Sequence, residues 1–242
     1  MATSNTIIIL QQGGLGDIFF IQKLCKVLSK NYKVYHPVTP EMWNSGVNQL
    51  ITDNVICGVN PDFPRENVLA YDCSNQPRPN GTSDIMTSKY ASSGIDWHDW
   101  KDYFKYNRDS DRENNLKDHY GIKDGEPFIF ANMWYSFRKP HNGVELTIPE
   151  DYDGKVVWMD PKLSPSVFDW CWIMENAEQI HIVDTCLNYI IDTLDLKADT
   201  LICHPRHYKN TEECVGKLFD APWQWVDYER WLWREKVTEE LE

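Results

Sequence analysis

The chain has 242 residues, of which 42% are hydrophobic, with 11 Trp, 12 Tyr and 9 Phe; that excludes a mainly disordered protein and allows one large domain or two of about 100 to 150 residues each. A net charge of −13 and an isoelectric point near 4.9 argue against nucleic acid or an anionic membrane as the main partner, since both demand a basic face. Seven cysteines without a CxxC pair, a start that lacks the charged region of a signal peptide, and no apolar run of bilayer-spanning length lead to the expectation of a cytoplasmic protein with reduced thiols and no integral membrane segment.

The first element is a β-branched run over residues 7–10, with the length and composition of a buried parallel strand. Gly13, Gly14 and Gly16 follow, and then apolar Ile18, Phe19, Ile21, Leu24, Cys25, Val27 and Leu28 at helical spacing. Strand, tight turn and helix are predicted, with Asp17 in the first helical turn, where it serves either as a functional carboxylate or as a helix cap. The loop is not a P-loop, because Asp17 and Ile18 stand where Gly-Lys-Ser/Thr is required. It is not a dinucleotide fingerprint either, because the third glycine would fall at Phe19.

Further strands are predicted at 33–37, 54–59 and 67–71, with a helix over 41–50, which implies a parallel sheet with helices on its faces. Prolines, asparagines and a glycine mark a loop over 74–83. Residues 88–106, with Tyr90, Trp97, Trp100, Tyr103 and Phe104, are expected to be partly helical. Aromatic packing between layers is favoured for them over a platform that stacks on sugars. The most charged stretch, 106–124, is taken as the domain boundary, giving domains over 1–115 and 116–242. It contains Asp109-Ser110-Asp111, a DxD pair; the pair lacks the preceding apolar strand of a metal-binding DxD, and Asp151-Tyr152-Asp153 is framed as a turn by Pro149 and Gly154. No metal site is expected.

A second α/β series then begins. Strands are predicted at 127–132, 155–159, 180–184, 200–203 and 224–226, and helices over 166–177, 185–196 and 211–219, with a final Trp-rich helix from Tyr228. Ser164 or Ser166 would cap the first of these helices, with Pro165 near its start. Two consecutive Rossmann-like domains facing each other across a cleft are the natural parse.

Gly13-Gly14-Leu15-Gly16-Asp17 after an apolar strand resembles the opening of GT-B glycosyltransferases of the bacterial heptosyltransferase kind. In the second half, Asp184-Thr185-Cys186-Leu187-Asn188-Tyr189 stands where that family has Asp-Thr/Ser-Gly-x-x-His, with Cys186 in place of the glycine and Tyr189 in place of the histidine. The resemblance implies a compact GT-B-like fold. It also implies a single displacement without metal or resident cofactor, in which an acceptor hydroxyl attacks a nucleotide-sugar donor. The partners implied are that nucleotide sugar and a glycan or other hydroxyl acceptor. Asp17 is the candidate base, although an ordinary aspartate, with a pKa of about 4, is a weak one. Gly13, Gly14 and Gly16 would line its loop. For the donor phosphates the candidates are Ser136, Arg138 and Lys139, with Thr185 and the backbone N–H groups after Asp184. Asp160 would meet the nucleoside or simply cap a turn. Two other classes stay open: a non-catalytic nucleotide-sugar or glycan-binding module, and a nucleoside-cofactor α/β enzyme such as a methyltransferase.

Overall fold

A computed structural model describes residues 5–11, 13–64, 66–135, 146, 148–205 and 211–226, and the chain divides into two compact units, Met1–Arg108 and Asp109–Glu242. Each unit is built on one sheet of parallel strands. Among the described residues no helix is long and apolar enough to cross a membrane. All seven cysteines are free.

The first unit contains β1 (Thr6–Leu10), β2 (Lys33–Val38), β3 (Val55–Val59) and β4 (Val68–Asp72), in the spatial order β3-β2-β1-β4. The helix predicted from Ile18 is in fact two, α1 (Leu15–Phe20) and α2 (Gln22–Leu28), separated by Ile21. Side chains take carbonyls where the helix breaks: the Gln22 amide donates to the Ile18 carbonyl at 2.9 Å, and the Tyr90 hydroxyl to that of Phe20 at 2.6 Å. Partners of this kind let a helix change direction without leaving buried backbone groups unpaired. The helix expected over 41–50 is shorter: α3 (Pro40–Asn44), with Thr39 accepting from the Met42 N–H, followed by a 3₁₀ turn at Val47–Gln49.

The connection from β3 to β4 is a departure from the expected helices on both faces. β4 lies on the far side of β1, so a right-handed crossover must pass over the face opposite α1 and α2. Residues 60–64 and 66–67 make that crossing without a helix, and Phe63 packs its ring 6.0 Å from Tyr35. Leu10 and Ile56, which the strand register puts on the Tyr35 face, stay exposed at 37% and 38% among the described residues.

The aromatic stretch is core. Phe19 stacks on Phe104 at 4.8 Å, and Phe20 meets Tyr90 at 5.3 Å and Trp100 at 5.8 Å. Tyr90, Trp100 and Phe104 are buried, each contributing about 1.5–3 kcal/mol by leaving water. Only a 3₁₀ turn (Thr87–Tyr90) and α4 (Trp100–Tyr103) are helical here. The unit closes where 105–107 pairs back on 49–51 through an antiparallel bridge, Leu50 to Tyr106.

The second unit opens with α5 (Ser110–His119), whose N-cap is Asp109, its carboxylate accepting from the Arg112 N–H at 3.1 Å. The first carboxylate of the DxD pair is therefore a helix cap. Among the described residues no group of three His, Cys, Asp or Glu side chains is placed to hold a metal. The sheet contains β5 (Phe128–Asn132), β6 (Lys155–Trp158), β7 (Gln179–Val183), β8 (Thr200–His204) and β9 (Gln224–Trp225), in the order β6-β5-β7-β8-β9. β5 is buried along its whole length, as a parallel strand covered on both faces should be.

Helices are again shorter than their sequence patterns. The segment over 166–177 starts as a 3₁₀ turn (Val167–Trp170), capped by Ser166 accepting from the Phe168 N–H, and becomes α6 (Cys171–Asn176). Glu113 on α5 accepts from the Trp172 N–H at 2.9 Å, supplying the start of α6 from another element. The prediction over 185–196 reduces to α7 (Leu187–Ile191), and that over 211–219 to α8 (Thr211–Val215) and a 3₁₀ turn. Asp151-Tyr152-Asp153 lies in a turn closed by the Tyr152 N–H donating to the Pro149 carbonyl. The Trp-rich segment with Trp231 and Trp233 lies outside the described residues.

Candidate functional site

In each sheet the first strand has its sequence successor on one side and a later strand on the other: β1 between β2 and β4, β5 between β6 and β7. That is a topological switch point, where chains leaving the carboxyl ends of neighbouring strands part in opposite directions and open a crevice. The first unit's order matches the start of the dinucleotide-binding arrangement, and the second has the order 2-1-3-4-5 of flavodoxin-like sheets.

At the first switch point stand Gln11, Gly13, Gly14 and Asp17. Gly14 is extended, with φ −81° and ψ −178°, and Gly16 is already inside α1, so neither needs glycine's freedom to turn. Gly13 is glycine for another reason. A Cβ there would lie 2.7 Å from Cγ and Oδ2 of Asp17 and 2.7 Å from Nε2 of Gln11. The two side chains close over the bare Cα.

Asp17 is the third residue of α1, and its Oδ2 accepts from the Gly14 N–H at 3.0 Å. Its Oδ1 pairs with Nζ of Lys89 at 2.8 Å; the lysine side chain is 4% exposed and the aspartate 26%. Lys89 Nζ also donates to Oε1 of Gln11 at 3.2 Å, and the Lys89 carbonyl accepts from the Tyr71 hydroxyl at 3.0 Å. The cap and the functional carboxylate are thus one group with two oxygens in two roles. One oxygen holds the loop to the helix, and the other binds a buried cation that arrives from beyond β4.

Cys73, just past β4, is buried, and burial pushes its thiol up to about 12 with Lys89 pulling the other way. It is no nucleophile at neutral pH. The Tyr71 hydroxyl is likewise raised, chiefly by burial. Sequence reasoning missed Gln11 and Lys89. The available signal was that Lys89 is the lone charge in an otherwise apolar and hydroxylated run, 86–93.

At the second switch point the buried side chains of Ala131, Tyr135, Leu146 and Val183 pack together. Ser136, Arg138 and Lys139 lie outside the described residues. Asp160 follows β6 and its Oδ1 accepts from the Lys162 N–H at 2.9 Å, a turn cap. Asp184 and Thr185 follow β7, both 7% exposed. The Thr185 N–H donates to Oδ1 of Asn188 at 3.0 Å, and Oγ1 of Thr185 accepts from the Leu187 N–H at 3.3 Å. Donors at the start of α7 are therefore occupied from within the chain. Tyr189 is 5% exposed and meets Phe219 edge-on at 5.0 Å, so it is part of the core.

The structure thus gathers Gly13, Gly14 and Asp17 between the carboxyl end of β1 and the start of α1, with Gly16 inside that helix. It sets Asp160, Asp184 and Thr185 at the carboxyl ends of β6 and β7. No protein-family model matches the chain, and neither the curated proteins nor the solved structures give a significant match.

Proposed function

We propose that the chain is a GT-B-type glycosyltransferase that moves a sugar from a nucleotide-sugar donor to an acceptor hydroxyl by a metal-independent single displacement. The acceptor is assigned to the first unit and the donor to the second. The observation that carries this reading is the Asp17 carboxylate at the carboxyl end of β1, oriented through one oxygen by the Gly14 N–H and through the other by Lys89, and still partly open to solvent. In the reaction the acceptor oxygen forms a bond to the anomeric carbon while the bond from that carbon to the nucleoside diphosphate breaks. The hydroxyl proton passes to Asp17 as the new bond forms, which is the assistance a weak base can give. Arg138 and Lys139, with Ser136, are assigned to the leaving diphosphate, because a chain of net charge −13 needs local positive charge to hold an anion.

A second reading is favoured by the Asp184–Tyr189 segment. The Thr185 N–H is taken by Asn188, the Thr185 hydroxyl accepts from the Leu187 N–H, and Tyr189 is core, which suits a module that binds a glycan or nucleotide sugar without turnover. The test is a thermal-shift screen of nucleoside diphosphates, their sugars and S-adenosylmethionine, followed by turnover of each stabilising nucleotide sugar. Transfer or hydrolysis that falls about 10² to 10⁴-fold in Asp17→Asn supports the enzyme. Binding without turnover supports the module, and stabilisation by S-adenosylmethionine alone replaces both with a methyltransferase. Asp17→Asn keeps an acceptor for the Gly14 N–H but leaves the Lys89 ammonium buried without its counter-ion. Its turnover is therefore compared at a temperature where circular dichroism shows it folded.

A further inference from the structure

We propose that Lys89 is a specificity-determining residue that makes the crevice beside Asp17 electrically neutral, so that the acceptor is an uncharged polyhydroxy compound and not a uronate, a phosphate ester or an amine. The proposal rests on the assignment of Asp17 to the acceptor and deepens it. The two partners of the ion pair differ in exposure: the lysine side chain is 4% exposed and the aspartate 26%. What an incoming ligand meets is the carboxylate, with its counter-charge fixed beneath it. Two of the three ammonium donors are directed at Asp17 Oδ1 and Gln11 Oε1, so the lysine faces the protein rather than the ligand.

Gln11 supplies the independent second observation. A lysine can only donate, so the oxygen of the Gln11 amide must be the atom that faces Nζ, and Nε2 is turned the other way. Gln11 is 9% exposed, and its Nε2 is buried with no hydrogen-bond partner among the described residues. It lies 2.7 Å from the same point beside Gly13 that lies 2.7 Å from Asp17 Oδ2. The amide nitrogen and Oδ2 therefore flank the bare Cα of Gly13. A ligand hydroxyl can donate to the partly exposed carboxylate. A carboxylate or phosphate cannot donate to Asp17, finds the Lys89 ammonium already engaged, and so loses its hydration without gaining a counter-ion in a chain of net charge −13. An ammonium finds the charge of Asp17 already cancelled, and so loses its hydration without gaining a counter-ion.

The experiment uses the full chain and saturation-transfer NMR with four probes: methyl α-D-glucopyranoside, D-glucuronamide, D-glucuronate and D-glucosamine. Glucuronamide and glucuronate have nearly the same shape and differ in charge, so the parent protein alone supplies a test that needs no variant. The neutral probes are expected to bind at least tenfold more tightly than glucuronate or glucosamine, and Lys89→Met, confirmed as folded by circular dichroism, is expected to shift the glucosamine-to-glucoside ratio at least tenfold toward the amine. A parent that prefers either charged probe, or that binds no neutral probe, overturns the proposal, as does an unchanged ratio in folded Lys89→Met. Nucleotide-sugar turnover, measured in parallel, separates the two claims. A neutral preference without turnover leaves this inference standing and removes the transferase, whereas turnover onto a charged acceptor does the reverse.

Discussion

The pair formed by Asp17 and Lys89 predicts a coupling that equilibrium unfolding can measure. At 2.8 Å between Nζ and Oδ1, the Coulomb attraction is about 6 kcal/mol at an effective dielectric constant of ~20. Desolvating a lysine that keeps only 4% of its side-chain exposure offsets several kcal/mol of that. Removing one member of a fully buried pair costs about 3–5 kcal/mol; because Asp17 retains 26% exposure, Lys89→Met is expected to cost less, about 2–3 kcal/mol. Asp17→Asn strands the more deeply buried charge and should cost at least as much. In Asp17→Asn/Lys89→Met no charge is left alone, so the double variant should be less destabilised than the two single losses added together. The expected coupling is about 1.5–3 kcal/mol, read from urea unfolding of the four proteins at pH 7 by circular dichroism and tryptophan fluorescence. Additivity to within about 0.5 kcal/mol would show that the two charges do not depend on each other, and would refute both the site geometry and the neutrality argument built on it.

Three further outcomes are expected. Gly13→Ala places a methyl 2.7 Å from the Asp17 carboxylate and the Gln11 amide and should destabilise by about 1–3 kcal/mol through overpacking; a melting temperature equal to the parent's would mean that the loop has room. His36 is buried in β2 with both ring nitrogens unpartnered among the described residues, and burial pulls it down to about 4 from 6.5. The folded value lies below the unfolded one, so its contribution is fully present above pH about 6.5 and is lost as pH falls toward about 4, roughly 3 kcal/mol in all. His36→Met should remove that part of the pH dependence, and parallel stability curves for the two proteins would contradict it. Arg138→Ala or Lys139→Ala should weaken nucleoside diphosphate binding by about 1.5 to 3 kcal/mol, with binding falling as salt rises; calorimetric affinities equal to the parent's would place the phosphates elsewhere.

The strands were legible in the sequence. A parallel strand covered on both faces is a nearly continuous apolar run, so a stretch such as 128–131 declares itself without reference to the rest of the chain. The loop after the first strand was legible for a related reason: a short apolar run, glycines and then a helical period fix strand, turn and helix locally. Helix lengths were not, because apolar spacing says which face is buried but not where another element takes over a backbone carbonyl, as Gln22 and Tyr90 do between α1 and α2. The same limit applied to the acidic pairs and caps. Whether Asp109 holds a helix or a metal is decided by the Arg112 N–H that it meets, and whether Thr185 faces a ligand is decided by Asn188. Above all, the sequence placed Asp17 at the end of β1 but not Lys89 beneath it. Lys89 stands 78 positions from Gln11 along the chain, and the two meet because β4 pairs with β1 and the chain beyond it returns over α1 through Tyr90. Strand order is a property of the assembled sheet, and no local period in the sequence records it.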